Sequence, residues 1–178
     1  GKTSSVILKF FFPMFFTNML QQLYTVADTA IVGKGLGDNA LASVGNMSSL
    51  TFLIIGFSLG ISNGFSVSIA QSYGAGNHEK LKKAIAASVK LSVIVTIILT
   101  AISMLFLKPV LVMLRTDESI LKDSLIYGYI IFGGLFSTIA YNMASCILRA
   151  LGDSKTPFTA IIVSTIINIG LNCFFIFG

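Results

Sequence analysis

From residue 40 to residue 73 the chain carries no charged side chain. A helix crosses the hydrocarbon of a bilayer in about 20 mostly apolar residues, so this one run can span a membrane and project beyond it. Four further apolar runs lie at 6–32, 84–107, 124–148 and 156–178. Their solvent follows from composition: 54% of residues are hydrophobic and 11% charged, against about 25% charged in a soluble domain. That leaves too little polar surface to cover a globule in water, so most of this chain faces lipid. Transmembrane strands need segments of about 10 residues with alternating polarity, which these runs lack. The expected fold is an all-α membrane protein with five transmembrane helices and no soluble domain.

The connections carry helix punctuation. Gly33-Lys34-Gly35-Leu36-Gly37-Asp38-Asn39 is expected to end the first run and to cap the second. Gly74-Ala75-Gly76-Asn77 ends the second, and Lys108-Pro109 is expected to end the third. Gly152-Asp153-Ser154-Lys155-Thr156-Pro157 separates the fourth from the fifth, with a capping residue and a proline near the first helical turn. If all five runs span, eight of the 12 Lys and Arg residues fall on one side, among them Lys2, Lys9, Lys80, Lys82 and Lys83. The positive-inside rule then places the N-terminus in the cytoplasm, in a bacterial plasma (inner) membrane. The chain begins at Gly1 and has an odd number of runs, so it is expected to be a piece of a longer transporter.

Asp28 stands late in the first run with no basic residue near it on its own helix. A charged group in hydrocarbon costs at least about 2.5–3.5 kcal/mol, so such a group usually faces a protein interior or a water-filled cavity, where it relays protons or holds a cation. At about 100° per residue, Thr17, Gln21, Tyr24 and Asp28 share one narrow helix face. That stripe suits a helix lining a substrate cavity; the alternative is an interhelical hydrogen-bond seam. Pro13 removes a backbone hydrogen bond from the same helix and is a hinge candidate.

Other polar residues can serve the same region. Thr138, Asn142, Ser145 and Arg149 share a face of the fourth run, and Asn168 and Asn172 lie one turn apart in the fifth. Amide oxygens beside a carboxylate can complete a shell for a hard cation such as Na⁺, or the amides can hydrogen-bond Asp28. In the second run Gly56, Gly60 and Gly64 are spaced four apart, as in helices that pack closely.

Enzyme chemistry finds no support. The glycines at 33, 35 and 37 lack the Gly-Lys-Ser/Thr ending of a phosphate-binding loop, and His78 is the only histidine. Cys146 and Cys173 lie in apolar runs and form neither a disulfide framework nor a metal spacing. No cofactor is expected, and no metal beyond a possible Na⁺ at Asp28. Net charge is +5, but the basic residues fall between apolar runs and read as topology signals, so no nucleic acid is expected as a partner.

Several stretches resemble one family, the multidrug and toxic compound extrusion (MATE) antiporters. Pro13 with Val26-Ala27-Asp28-Thr29-Ala30-Ile31-Val32-Gly33 looks like that family's first helix. Leu36-Gly37-Asp38-Asn39-Ala40-Leu41-Ala42-Ser43-Val44-Gly45 is similar to its first loop and second-helix entry. Ala70-Gln71-Ser72-Tyr73-Gly74-Ala75-Gly76-Asn77 and Arg149-Ala150-Leu151-Gly152-Asp153-Ser154-Lys155-Thr156-Pro157 resemble two of its turns, and Asn168 through Asn172 resembles its fifth-helix site. The resemblance implies a twelve-helix antiporter of two six-helix lobes, exchanging entering Na⁺ or H⁺ for outgoing organic cations and drugs. This chain would supply the first five helices of the N-terminal lobe, with membrane lipid, small organic cations and the remaining helices as its partners. Asp28 takes the position of the coupling-ion or protonation residue, and Asn142, Asn168 and Asn172 match polar positions of the same site. Some relatives carry a second acid where this chain has Asn172, a departure that bears on any two-carboxylate site. Two rival readings are a lipid-linked glycan flippase of the same superfamily and a non-transporting membrane scaffold. The flippase needs basic residues in its cavity, and the first, second and fifth runs have none well inside the membrane.

Overall fold

The computed structural model describes the backbone of residues 2–177, and the side chains of residue 8 and of residues 11–176. The side chains of Lys2 and Lys9, counted above for orientation, lie outside the described residues, as does Gly178 at the end of the fifth run. Six helices follow one another: α1 (Lys2–Leu36), α2 (Asp38–Gly74), α3 (His78–Met113), α4 (Glu118–Gly133), α5 (Leu135–Ala150) and α6 (Lys155–Phe177). Among the described residues α2, α3 and α6 are each long and apolar enough to cross a membrane, and α4 with α5 makes a fourth such span, bent by 43°. The 35 residues of α1 have the length, but Thr17, Asn18, Gln21, Gln22 and Asp28 make it the least apolar of the long helices.

Two expectations need correction. The fourth apolar run is two helices, because the Gly133-Gly134 pair lets the backbone turn there; the Gly134 amide is shared between the carbonyls of Ile130 and Ile131. Nor does Pro109 end α3, which continues to Met113. The turn beyond the proline carries Leu111, fully buried beside Leu107, and packing of that turn outweighs the missing amide donor. At the first connection only Gly37 lies outside helix, at φ 84°, and it makes no side-chain cap.

The remaining connections close as their residues dictate. Gly76 and Gly152 adopt left-handed φ of 66° and 94°, a region open to glycine at no steric cost. Each is followed by an amide that reaches back to close the helix end, Asn77 N–H to Ser72 and Asp153 N–H to Leu148. The Asn77 side chain then accepts from the Lys80 amide at 2.9 Å, and that of Asp117 from Ser119 at 2.8 Å, starting α3 and α4. Asp153 accepts from the amides of Lys155 and Thr156, both at 3.0 Å, and starts α6.

Helices α2, α3, α4 and α5 pack around a core of Met47, Leu107, Leu111, Phe132 and Leu135. Gly128 permits this closeness: a Cβ there would stand 2.8 Å from both Leu107 Cδ2 and Met47 Cε. Ser58, Ser62, Ser88, Ser103 and Ser124 are also buried, whereas Phe52, Leu105 and Phe175 are at least 73% exposed. Small hydroxyls inside and large apolar groups outside suit a lipid solvent, since close approach rather than dehydration holds membrane helices together. Asn46 donates to the Thr116 hydroxyl at 2.8 Å and ties α2 to the α3–α4 connection. Helix α1 lies against α6 and, less extensively, against α2, but does not pack on α5.

Candidate functional site

The α1–α6 contact brings Asp28 to Asn172. The Asn172 amide donates to Asp28 Oδ1, and also to Asn168 Oδ1 at 2.9 Å. Asn168 and Asn172 stand one helical turn apart, so both face α1 together. Asp28 is half-buried and makes no salt bridge among the described residues. Tyr24 stands one turn before Asp28 on the same face of α1. The result is one acid and two amides joined where α1 and α6 meet.

Because α1 and α5 do not pack on each other, a cavity of about 690 Å³ opens between them. Thr17, Gln21 and Tyr24 of α1, Asn63 of α2, and Asn142 and Arg149 of α5 contribute to its wall. This volume suits a drug-sized ligand. Asp28 is not in the wall, whereas Tyr24 is. The cavity extends from the level of Tyr24 toward the end of the bundle that carries the α5–α6 connection, where Arg149 stands.

The residues singled out in the sequence thus divide into two groups. Asp28, Asn168 and Asn172 form one cluster. Asn142 joins Thr17, Gln21 and Tyr24 on the cavity wall, and its Nδ2 is buried without a hydrogen-bond partner. Thr17 has already spent its donor, bonding the Pro13 carbonyl at 2.7 Å. Pro13 lies inside α1, and back-bonding of this kind tends to bend a helix. Gly56, Gly60 and Gly64 have nothing within 4 Å of where a Cβ would stand, so no described residue packs on that stripe.

Asn63 of α2 enters the cavity wall from another helix, which helical spacing within one run does not report. A polar chain also joins α2 to α5: Arg149 Nη2 donates to Cys146 Sγ at 3.2 Å, and Cys146 Sγ to Asn63 Oδ1 at 3.4 Å. Cys146 is buried and Cys173 exposed. Among the described residues no group of three or more His, Cys, Asp or Glu could hold a metal ion.

Long lipid-facing helices, a half-buried acid whose hydrogen-bond partner among the described residues is an amide, and a polar cavity beside it define a membrane helix bundle with a polar interior. The chain belongs to the MatE family, whose model matches residues 13–174. It is 36% identical over 162 residues to the probable multidrug resistance protein YoeA of Bacillus subtilis, covering 91% of this chain and 35% of that protein. Over 176 residues it is 30% identical to the probable multidrug resistance protein YpnP of the same organism, covering 99% of this chain and 40% of that one. A crystal structure of MATE in the bent conformation superimposes with a TM-score of 0.91 at 27% identity, covering 99% of this chain and 39% of that one. The chain therefore spans about two fifths or less of the length of these relatives.

Proposed function

We propose that the chain is part of the N-terminal lobe of a secondary antiporter that exports small organic cations, drugs among them, in exchange for H⁺ or Na⁺, with Asp28 as the coupling residue. The observation that carries this reading is the state of Asp28: a carboxylate among lipid-facing helices, with the Asn172 amide as its hydrogen-bond partner and no salt bridge among the described residues. The names of YoeA and YpnP support multidrug export as the activity. The protein resides in a bacterial plasma membrane with its N-terminus in the cytoplasm, as the Lys and Arg distribution favours.

The chemistry of the cluster supplies a mechanism. An ionised Asp28 accepts a charge-assisted bond from Asn172, roughly twice as strong as a neutral one. Protonation removes that charge and weakens the tie between α1 and α6. Helix α1, which lacks a backbone hydrogen bond at Pro13, can then take a different path past the cavity. The ion drives export because it binds the two access states with different affinity. Asn172 turns its amide nitrogen toward Asp28, which favours the ionised carboxylate; Na⁺ held by both Asp28 and Asn172 needs the amide reversed so that its oxygen faces the ion. A lipid-linked glycan flippase is the weaker reading, since the cavity wall contains a single basic residue, Arg149.

Efflux of a fluorescent organic cation from cells making the full-length protein tests the proposal, with wild type beside Asp28→Asn at matched expression and with pH and Na⁺ gradients imposed in turn. The expected result is efflux that follows one gradient and is lost in the variant. Equal efflux in both proteins removes Asp28 as the coupling residue. Loss of stability or of partner binding in the variant with flux unchanged returns the scaffold reading.

A further inference from the structure

On the face of α5 turned away from the α1–α5 cavity, α3 and α5 leave a narrow groove of about 220 Å³ between them. Its floor includes Ser92 and Thr96 of α3 and Met143 of α5, each at most 7% exposed. Val89, Val93 and Phe136 form exposed rims. The Thr96 hydroxyl turns back to the Ser92 carbonyl at 2.7 Å, but Ser92 Oγ has no partner. A buried hydroxyl left unmet is costly, and a carbonyl in the groove removes that cost. The α3 surface beside the groove carries Ile94, Ile97 and Ile98, each at least 51% exposed. Membrane helices meet through small residues, so large aliphatic side chains of this kind are covered by lipid. A charge stands on the same rim. Lys90 is exposed, lies one turn before Val93, and makes no salt bridge among the described residues. Side chains on a helix lean toward its N-terminus, so the Lys90 ammonium reaches toward the α2–α3 connection and the membrane surface.

We infer that this groove holds one chain of an anionic diacyl phospholipid: Lys90 meets the phosphate, Ser92 donates to an acyl ester carbonyl, and the chain runs on over Thr96 toward Phe136. The order of groups along α3 matches the order along such a lipid, from phosphate to ester to hydrocarbon. The α5 wall from Ile147 to Phe136 is about 16 Å long, close to the roughly 15 Å that one leaflet contributes to a hydrocarbon core of about 30 Å. The volume is below the roughly 300 Å³ at which drug-sized pockets begin, which suits a flexible chain better than a compact ligand. Charge selects the headgroup. Lys80 and Lys82 lie at the same end of α3 as Lys90, and the acid there, Glu79, is already paired with Lys83 at 3.6 Å. A lipid with net negative charge therefore suits the site better than a zwitterionic one. The inference requires a membrane-spanning bundle and does not depend on what the protein exports.

Native mass spectrometry of the purified full-length protein in neutral detergent tests this, with phosphatidylglycerol and phosphatidylethanolamine of identical chains added in turn. Wild type is expected to retain one phosphatidylglycerol in preference to phosphatidylethanolamine. Lys90→Gln should cut that preference about fivefold, the effect of one basic group at an anionic lipid surface. Lys83→Gln removes the same charge from a side chain already paired with Glu79 and should leave the preference unchanged. A diether phosphatidylglycerol, which lacks the ester carbonyl, should be retained less than the diester by wild type and equally by Ser92→Ala. Ala144→Leu fills the groove from its exposed rim and should abolish retention of every lipid. Equal retention of the two headgroups by wild type, or a preference that survives Lys90→Gln, overturns the inference. An equal loss in Lys83→Gln assigns the preference to diffuse surface charge and also overturns it. Equal retention of diester and diether by wild type removes Ser92 from the site and overturns the inference as stated. Retention unchanged in Ala144→Leu means that the lipid sits elsewhere or that other helices of the full-length protein cover the groove, and overturns it too. The Lys90 and Ser92 comparisons stand without Ala144→Leu, since an exposed ammonium and a hydroxyl without a partner are removed at little cost to folding; unchanged melting temperatures in lipid-free detergent check this.

Discussion

In α2 through α5 the helices meet through Met47, Leu107, Leu111, Phe132 and Leu135, each at most 2% exposed. Helix α6, by contrast, buries none of its apolar stretch within this chain and meets α1 around Asp28, Asn168 and Asn172. The first group is held by dispersion between interlocked side chains, which no change of charge or pH alters. The second is held in part by hydrogen bonds whose strength depends on whether one carboxylate carries a proton. A bundle built this way concentrates its sensitivity to charge in the contact between α1 and α6 that holds the candidate site.

Substitutions in the two regions should therefore fail differently. Asp28→Asn is expected to abolish coupled efflux with little change in thermal stability, since the amide still accepts from Asn172. Phe132→Ala should do the reverse: stability falls by about 3–5 kcal/mol, and the yield of folded protein falls with it, as fluorescence-detected size exclusion after heating will show. Equal stability losses in the two variants would erase the contrast. Gly128→Val sharpens it by overfilling the same core. The 2.8 Å approaches to Leu107 and Met47 leave no room for a branched side chain, and a loss of about 1–3 kcal/mol is expected. Gly128→Ala should be milder, because both neighbours present the mobile ends of their side chains.

The smallest effect is expected at the connection that joins the two regions. The Thr156 side chain and amide hold the Asp153 carboxyl below the usual carboxylate range. A carboxyl lowered in the folded state stabilises it fully above the unfolded pKa of about 3.9 and loses that contribution as pH falls through the lower folded value. The stability difference between wild type and Asp153→Ala should accordingly be constant near neutrality and shrink below about pH 4, measured by thermal unfolding across pH. A difference independent of pH would mean that the carboxylate charge plays no part in starting α6.

Features confined to one helix or one turn were legible in the sequence. The stripe Thr17, Gln21, Tyr24 and Asp28 follows from helical spacing, as does the pairing of Asn168 with Asn172. Gly76 with Asn77, and Gly152 with Asp153, announce their turns by residue type. Features that depend on a neighbour were not legible. The Gly134 break and the turn beyond Pro109 reflect how α4 and α3 pack into the core. Asn63 of α2 and Asn142 of α5 come to share a cavity wall with the α1 stripe only through the space left where α1 and α5 do not touch. The stripe at Gly56, Gly60 and Gly64 shows the same limit: its spacing is plain, and the chain itself supplies nothing to fill it.

The bond between Asn172 and Asp28 joins residues 144 positions apart. At a synthesis rate of about 5–20 residues per second, the acid leaves the ribosome roughly 7–30 s before its amide partner exists. During that interval α1 is the least apolar of the long helices and carries a carboxylate with no partner from α6. The ribosome's pace thus sets how long the nascent chain must hold the Asp28 carboxylate without its partner from α6.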